Sequence, residues 1–285
     1  MAAPPWLEKI VLGSLDAIYA TIPTPLPDPE RLLSARVIAH RGAHRLATEN
    51  TFAAFRAAAQ NDCWGIEFDL RWTRDEWPVV HHDQSCRRIF GSDQMIAQCT
   101  REELRILHPE IPWLEEMIAE FGKKIHLMIE LKDRLRAEET TKIARLRDLL
   151  SELTPLQDYH VISLDPSSLL QLTFIPRETC IPIASTNARA VQQQIEKYHW
   201  GGLLAPYSLC PTDVVTRELA AGRQMGTGFV DSENVLKREL NRGVTWLFSN
   251  NPVVMNRVLN RLRSARRTPP LAYQVRHQKC HYDCR

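Results

Sequence analysis

Glycine is scarce in this chain, 11 residues in 285, about half the usual share. That excludes glycine-rich fibrous or low-complexity architectures, and it makes any glycine beside a polar strand end informative. An excess of one charge is also missing. Lys and Arg total 36 against 34 Asp and Glu, a formal charge of +2, so the global basic field expected of nucleic-acid binding is absent. No nucleic-acid partner is expected, and any anion site must be local. Nor is there a long apolar run. The opening MAAPPWLEKIVLGSLDAIYATIP has no basic lead-in, and Glu8, Lys9 and Asp16 interrupt it. It therefore fits neither a secretory signal nor a spanning helix, and a cytoplasmic location is the expectation. Cysteines number seven at irregular positions, which argues for reduced thiols rather than a disulfide framework. The run Cys280, His281, Asp283, Cys284 matches no zinc spacing and reads as a frayed tail.

What is present is the balance of a globular protein, 44% hydrophobic and 25% charged. Leu7, Ile10, Val11, Ser14 and Ile18 share one helical face, broadened by Trp6, Leu15 and Tyr19. They describe an amphipathic helix that docks on the domain's own surface, with a peripheral membrane contact as the alternative. Pro23, Pro25, Pro27 and Pro29 mark an extended linker. The expected organisation is a helix and linker over 1–35, a core domain over 36–258, and a basic tail over 259–285 carrying Arg261, Arg263, Arg266 and Arg267.

From residue 36 onward short apolar runs alternate with helical stretches, the pattern of βα units and a parallel sheet. The expected strands are 37–40, 65–71, 79–82, 125–131, 160–164, 179–184, 202–205, 224–230 and 244–249. Only Trp72 to Pro78 separates the second from the third, too few residues for a parallel crossover, so those two form a hairpin. Setting the hairpin return aside leaves the arithmetic of a (β/α)8 TIM barrel. Residues 84–124 are too many for an ordinary connection and read as an insertion near the active face. Ile111, Leu114, Met117, Ile118 and Phe121 place a helix at its end.

Polar residues concentrate at the ends of these strands. The run Val37-Ile38-Ala39 passes directly into His40-Arg41-Gly42, bringing an imidazole and a guanidinium out of a buried strand, a combination suited to an anion. In Ile66-Glu67-Phe68-Asp69-Leu70 the period of two puts both carboxylates on one face. They repel each other unless a cation lies between them, and oxygen ligands suit Mg²⁺ or Ca²⁺. Glu130 and Lys132 share a face in the same way, supplying a third carboxylate and a point charge for a bound anion. His81 and His82 face opposite ways by alternation, so one of them belongs to the site. Two histidines beside a metal and an arginine are the parts of acid-base chemistry on a phosphoester. Taken singly, each residue also has a structural reading; their coincidence at strand ends of one barrel pattern favours a site.

These residues resemble the glycerophosphodiester phosphodiesterase family. The likeness is carried by His40-Arg41-Gly42, Glu49-Asn50-Thr51, Ile66-Glu67-Phe68-Asp69-Leu70, Thr73, Asp75, Pro78-Val79-Val80, His82-Asp83, Ile111-Pro112, Leu114-Glu115-Glu116 and Glu130-Leu131-Lys132. The resemblance implies a TIM barrel that hydrolyses glycerophosphodiesters to sn-glycerol 3-phosphate and an alcohol with a divalent metal. It implies His40 and His82 as the acid-base pair, Glu67, Asp69 and Glu130 as metal ligands, and Arg41 and Lys132 as phosphate contacts. Asn50 reads as the N-cap of the helix from Thr51, and Glu49 as a residue supporting the site. The chain departs from the family pattern at Thr48, over Gln84 to Phe90, and over Gly226 to Asp231, which leaves the leaving alcohol open. Phe229 is placed either against the glycerol moiety or in the core. A lysophospholipase D acting on lysolipids and a barrel that binds phosphodiesters without turnover are the alternatives.

Overall fold

The computed structural model describes residues 17–267. Nine strands run β1 Arg36–His40, β2 Gly65–Trp72, β3 Pro78–Val80, β4 His126–Leu131, β5 Tyr159–Ser163, β6 Cys180–Pro182, β7 Gly202–Pro206, β8 Gln224–Gly228 and β9 Trp246–Ser249. Eight of them follow one another around a sheet in the order β6-β5-β4-β2-β1-β9-β8-β7, every pairing parallel. A bridge between Ile183 and Leu204 joins the two ends, which makes the sheet a nearly closed (β/α)8 barrel. The remaining strand, β3, returns antiparallel on β2 with Leu70 opposite Val80 and Trp72 opposite Pro78. It is the expected hairpin.

Alternation along the strands divides the core in two. Val37, Ala39, Ile66, Phe68, Leu70, Leu127, Ile129 and Leu131 point outward into the layer between sheet and helices. Their neighbours point into the barrel, where Ile38, Met128, Ile162, Ile181, Leu204, Trp246 and Phe248 pack on one another. The lumen is thus layered, as barrel interiors are. At its lower end Trp64 stacks on His126 with centroids 4.3 Å apart, and His126 Nε2 lies 2.8 Å from His160 Nδ1. Aliphatic and aromatic side chains fill the middle. The inward positions at the upper, C-terminal end are His40, Glu67, Asp69 and Glu130, and strand register brings them together: His40 opposite Glu67, Asp69 opposite Glu130.

Two features differ from expectation. The Pro-rich segment contains a short helix, Pro29–Ser34, whose first residue is Pro29 and whose Leu32 is buried. Proline is well suited to that first helical position, where its missing N–H has no partner to lose. The last helix, Pro252–Arg267, runs across the boundary placed at 258 because Leu259 and Leu262 on it are buried in the core. The insertion over 84–124 has a small core of its own, with Cys86, Ile96, Cys99, Leu104, Ile111 and Trp113 packed on Val79 of β3. Its helix Leu114–Phe121 lies where the apolar spacing put it.

The amphipathic helix and the Cys280–Cys284 run fall largely or wholly outside the described residues. The helical end of the former, residues 17–21, docks on the barrel's outer layer: Tyr19 meets Tyr207 edge-on at 5.6 Å, and the Arg238 guanidinium covers its ring at 4.7 Å. Among the described residues no helix is long and apolar enough to cross a membrane. The five described cysteines are buried free thiols.

Candidate active site

β1 ends at His40, and the chain turns at once. Arg41 adopts φ 56° and Gly42 φ 78°, left-handed backbone that costs an arginine about 1–3 kcal/mol. The strain is offset by what the turn achieves. It aims the Arg41 backbone N–H at Glu67 Oε2, 2.8 Å away, and curls the guanidinium back so that Nε is 3.3 Å from Asp69 Oδ2. Gly42 is required twice over, because a Cβ there would lie 2.8 Å from the carbonyl carbon and the Cβ of Ala54 as well as at positive φ.

Glu67 and Asp69 of β2 and Glu130 of β4 are all buried, and each places one carboxylate oxygen within 4.8 Å of the others. Glu67 Oε1 and Asp69 Oδ1 have no hydrogen-bond partner. Burying carboxylates costs several kcal/mol apiece unless something compensates. Burial, then the Asp69 and Glu130 charges, push the Glu67 carboxyl well above its ordinary value. Burial and Asp69 raise Glu130 to about 7. Asp69 goes the other way, to about 2, because Arg41, Lys132 and the Asn50 amide outweigh its burial. Three clustered carboxylates, two of them with an oxygen that no hydrogen bond satisfies, offer the all-oxygen donors that a hard divalent cation takes. Glu67, Asp69 and Glu130 fit such an ion.

The cations and imidazoles ring this cluster. Lys132 Nζ is 2.9 Å from Glu130 Oε1 and 3.5 Å from Asp69 Oδ1. His40 Nδ1 lies 2.7 Å from Asn250 Oδ1, while its Nε2 lies 3.9 Å from Glu67 Oε2. Burial and then Arg41 lower its pKa to about 4, so it is neutral. His82, just past β3, has Nδ1 2.6 Å from Asp83 Oδ1; burial lowers its pKa as well. Its backbone carbonyl is fixed by Arg71 Nε at 2.7 Å, and Arg71 is in turn held by Asp133. His81 turns away, with Nε2 3.1 Å from the Ser85 carbonyl and its ring against Phe90 at 5.9 Å. Alternation left the choice between His81 and His82 open, and the structure brings His82 into the cleft.

Asn50 does not cap the helix Phe52–Gln60. Thr51 does, its hydroxyl accepting from the Ala54 N–H. A cap has extended backbone, and Asn50 instead adopts φ 56°, which sends its amide inward to donate to Asp69 Oδ2 at 2.7 Å. Glu49 accepts from Arg41 at 3.1 Å. Arg88 and Arg41 hold it at about 2 against the upward push of burial.

Sequence reasoning missed two residues of the His40 support. Asn250 follows β9, and Asp231 follows β8. Asp231 Oδ1 accepts from Ser249 Oγ at 2.7 Å, the Asn250 N–H at 2.8 Å and the Asn251 N–H at 3.2 Å, which sets the loop that presents Asn250. The available signal was the polar run Ser249-Asn250-Asn251 leaving a buried strand, the same signature as His40-Arg41.

The cleft encloses about 280 Å³, and its walls differ. One is formed by His40, Arg41, Glu67, His82, Glu130 and Lys132; the facing one is mainly apolar. Phe229 stands at its rim, 40% exposed, at φ 67° and edge-on to His40 at 5.9 Å. It lines the cleft and does not belong to the interior.

Fold and site together define a class: a (β/α)8 barrel whose C-terminal mouth brings three buried carboxylates together with two imidazoles, an arginine and a lysine. The profile of the Glycerophosphoryl diester phosphodiesterase family matches residues 40–254, and the chain belongs to that family. A glycerophosphodiester phosphodiesterase of Bacillus subtilis is 25% identical over 263 residues, covering 82% of this chain and 88% of that one. Glycerophosphodiester phosphodiesterase 1 of Homo sapiens is 38% identical over 96 residues, 29% of each chain. At 36–38% identity the chain spans 29–44% of its relatives' own length. Among solved structures, an Oleispira antarctica phosphodiesterase in complex with the product sn-glycerol-3-phosphate aligns with TM-score 0.70 and 24% identity over 79% of this chain and 96% of that one. A Thermotoga maritima glycerophosphodiester phosphodiesterase aligns with TM-score 0.68 and 19% identity, over 79% and 98%. At those identities the likeness is one of fold.

Proposed function

We propose that this protein hydrolyses glycerophosphodiesters to sn-glycerol 3-phosphate and an alcohol, using a divalent cation, Mg²⁺ or Ca²⁺, and His40 and His82 as the acid-base pair. The observation that carries this reading is the cluster of buried Glu67, Asp69 and Glu130, with ligand oxygens within 4.8 Å of one another, in a cleft that His40, His82, Arg41 and Lys132 also line. A cation held by these carboxylates supplies Lewis-acid polarisation of a phosphoryl oxygen when bound. Arg41 and Lys132 neutralise the charge that redistributes over the phosphate, in a cleft where such contacts are worth more than in water.

The two imidazoles have different partners, and this separates their tasks. The amide oxygen of Asn250 accepts from Nδ1–H of His40, leaving Nε2 as a proton acceptor on a neutral ring. In His82 the Asp83 carboxylate accepts from Nδ1–H and works against the lowering of its pKa by burial, so of the two rings it has the partner suited to carrying a proton. His40 thus takes the proton of the nucleophile, water or the substrate's own glycerol hydroxyl, and His82 gives one to the leaving oxygen.

The apolar wall favours a second substrate. Leu164, 54% exposed, and Phe229 present hydrocarbon to the cleft, which suits a lysolipid as well as a deacylated diester. Enzyme-coupled detection of glycerol 3-phosphate from glycerophosphocholine, with and without EDTA, tests the main reading, and lysophosphatidic acid release from a lysolipid tests the other. Metal-dependent turnover of the first is the expected result. Release of neither product under any of several divalent metals would favour a binding barrel.

A further inference from the structure

Outside the residues that face the cleft lies one side chain that reaches both halves of the machinery. Arg88 sits on the four-residue helix Arg87–Phe90 of the insertion, closed by Gly91 at φ 68°. Its three guanidinium nitrogens are all engaged: Nε donates to Asp83 Oδ2 at 2.5 Å, NH1 to Glu49 Oε2 at 2.9 Å and NH2 to Glu49 Oε1 at 2.6 Å. Each of those carboxylates has its other commitment in the cleft. Asp83 Oδ1 is on His82 Nδ1 at 2.6 Å, and Glu49 Oε1 is on Arg41 NH1 at 3.1 Å. The helix that carries Arg88 is seated by Phe90 against the buried His81 ring at 5.9 Å.

We propose that Arg88 is a positioning residue that fixes His82 and Arg41 relative to each other, the insertion serving to deliver it. This rests on the reading above, in which His82 and Arg41 act on one phosphodiester. An isolated exposed ion pair contributes little, but a bidentate guanidinium in a chain of charge-assisted hydrogen bonds adds directional control. The chain runs His82–Asp83–Arg88–Glu49–Arg41. Without Arg88 the two carboxylates repel each other and the imidazole and guanidinium lose their shared reference. Loss of such outer support typically costs about 10–100-fold, and misplacement by about 1 Å can cost about 100-fold.

The test compares wild type with Arg88→Ala, Arg88→Lys and the neighbouring Arg87→Ala, which removes only a surface pair with Asp93. Glycerol 3-phosphate release from glycerophosphocholine and thermal unfolding are measured for each. Arg88→Ala is expected to lower kcat by about 10–100-fold with KM within about 3-fold, and guanidinium at concentrations well below its denaturing range is expected to restore part of kcat. Arg88→Lys, a cation without the fork, is expected to fall between, and Arg87→Ala to match wild type. Wild-type kcat in Arg88→Ala overturns the proposal, as does a loss that guanidinium does not reverse. Should Arg88→Ala not fold, Arg88→Lys decides: reduced kcat at wild-type KM and Tm supports positioning, and unchanged kcat overturns it. An inactive wild type refutes the proposed function itself, whereas active wild type with indifferent Arg88 variants refutes only this inference.

Discussion

At the scale of single residues, the site divides by how each group is positioned. His40, Glu67, Asp69 and Glu130 occupy inward positions of strands, so a period of two and the end of an apolar run were enough to find them. Asn250, Asp231 and Arg88 act across distances in sequence that no local pattern records: Asn250 meets His40 from 210 residues away, and Arg88 meets Glu49 from 39. A lone Asp or Arg in a connection has no periodicity to betray it. Replacing His40 or His82 by Ala is expected to reduce kcat by about 100-fold or more, with Tm near wild type because both rings lie at a solvent-reached cleft; near-normal metal-dependent turnover in either variant would sink the assignment. Glu67→Gln addresses the cation. Removing one of the three proposed carboxylate ligands is expected to weaken Mg²⁺ or Ca²⁺ binding at least tenfold by calorimetry, and an unchanged affinity would exclude Glu67 from the ligand set.

At the scale of elements, regularity determined what could be read. Each of the nine strands was expected within a few residues of where it lies, because apolar β-branched runs alternating with helical stretches leave a strong trace, and connection length alone dictated the hairpin. Apart from its last helix, Leu114–Phe121, the insertion was legible only as an excess of residues. Its core joins Cys86, Ile96, Leu104 and Trp113 from several short pieces, and the pieces before that helix, three to seven residues long, carry too few turns for a helical period. The helix Pro29–Ser34 was hidden for a related reason, since proline at a first helical position and proline in an extended linker look alike. The turn after β1 offers a test at this scale. Gly42→Ala puts a Cβ 2.8 Å from Ala54 at φ 78°, and we expect a loss of about 2 kcal/mol, or roughly 4–8 °C in Tm. Because the same turn aims Arg41, kcat should fall with stability. A variant as stable as wild type would show that the helix Phe52–Gln60 can retreat.

At the scale of the whole molecule, the barrel has two titratable ends of opposite character. The upper end gathers three buried carboxylates; the lower end buries two histidines that nothing in the proposed chemistry requires. Burial, with the Arg36 charge adding to it and Asp158 opposing, lowers His126 to about 4. Burial, His126 and Arg36 lower His160 to about 3. In the unfolded chain both return to about 6.5. A depressed histidine favours the folded state above its unfolded pKa, and that stability is lost as pH falls toward the folded pKa, since the unfolded chain then binds the proton that the native chain refuses. Each ring therefore subtracts about 1.4 kcal/mol per pH unit below about 6.5. By pH 4.5 the two together remove about 5 kcal/mol, a large share of an ordinary domain's stability. Urea unfolding at constant m should show the midpoint dropping between pH 6.5 and 4.5. His160→Asn, which keeps a polar partner near His126 but no longer titrates, should lower stability at pH 7 and reduce that slope by about one proton. The difference in slope between variant and wild type isolates the lower plug from the carboxylates and His40 at the other end, because those groups titrate alike in both proteins. Parallel pH profiles for the two would mean that His160 takes up its proton inside the folded barrel, with water reaching the lumen from below.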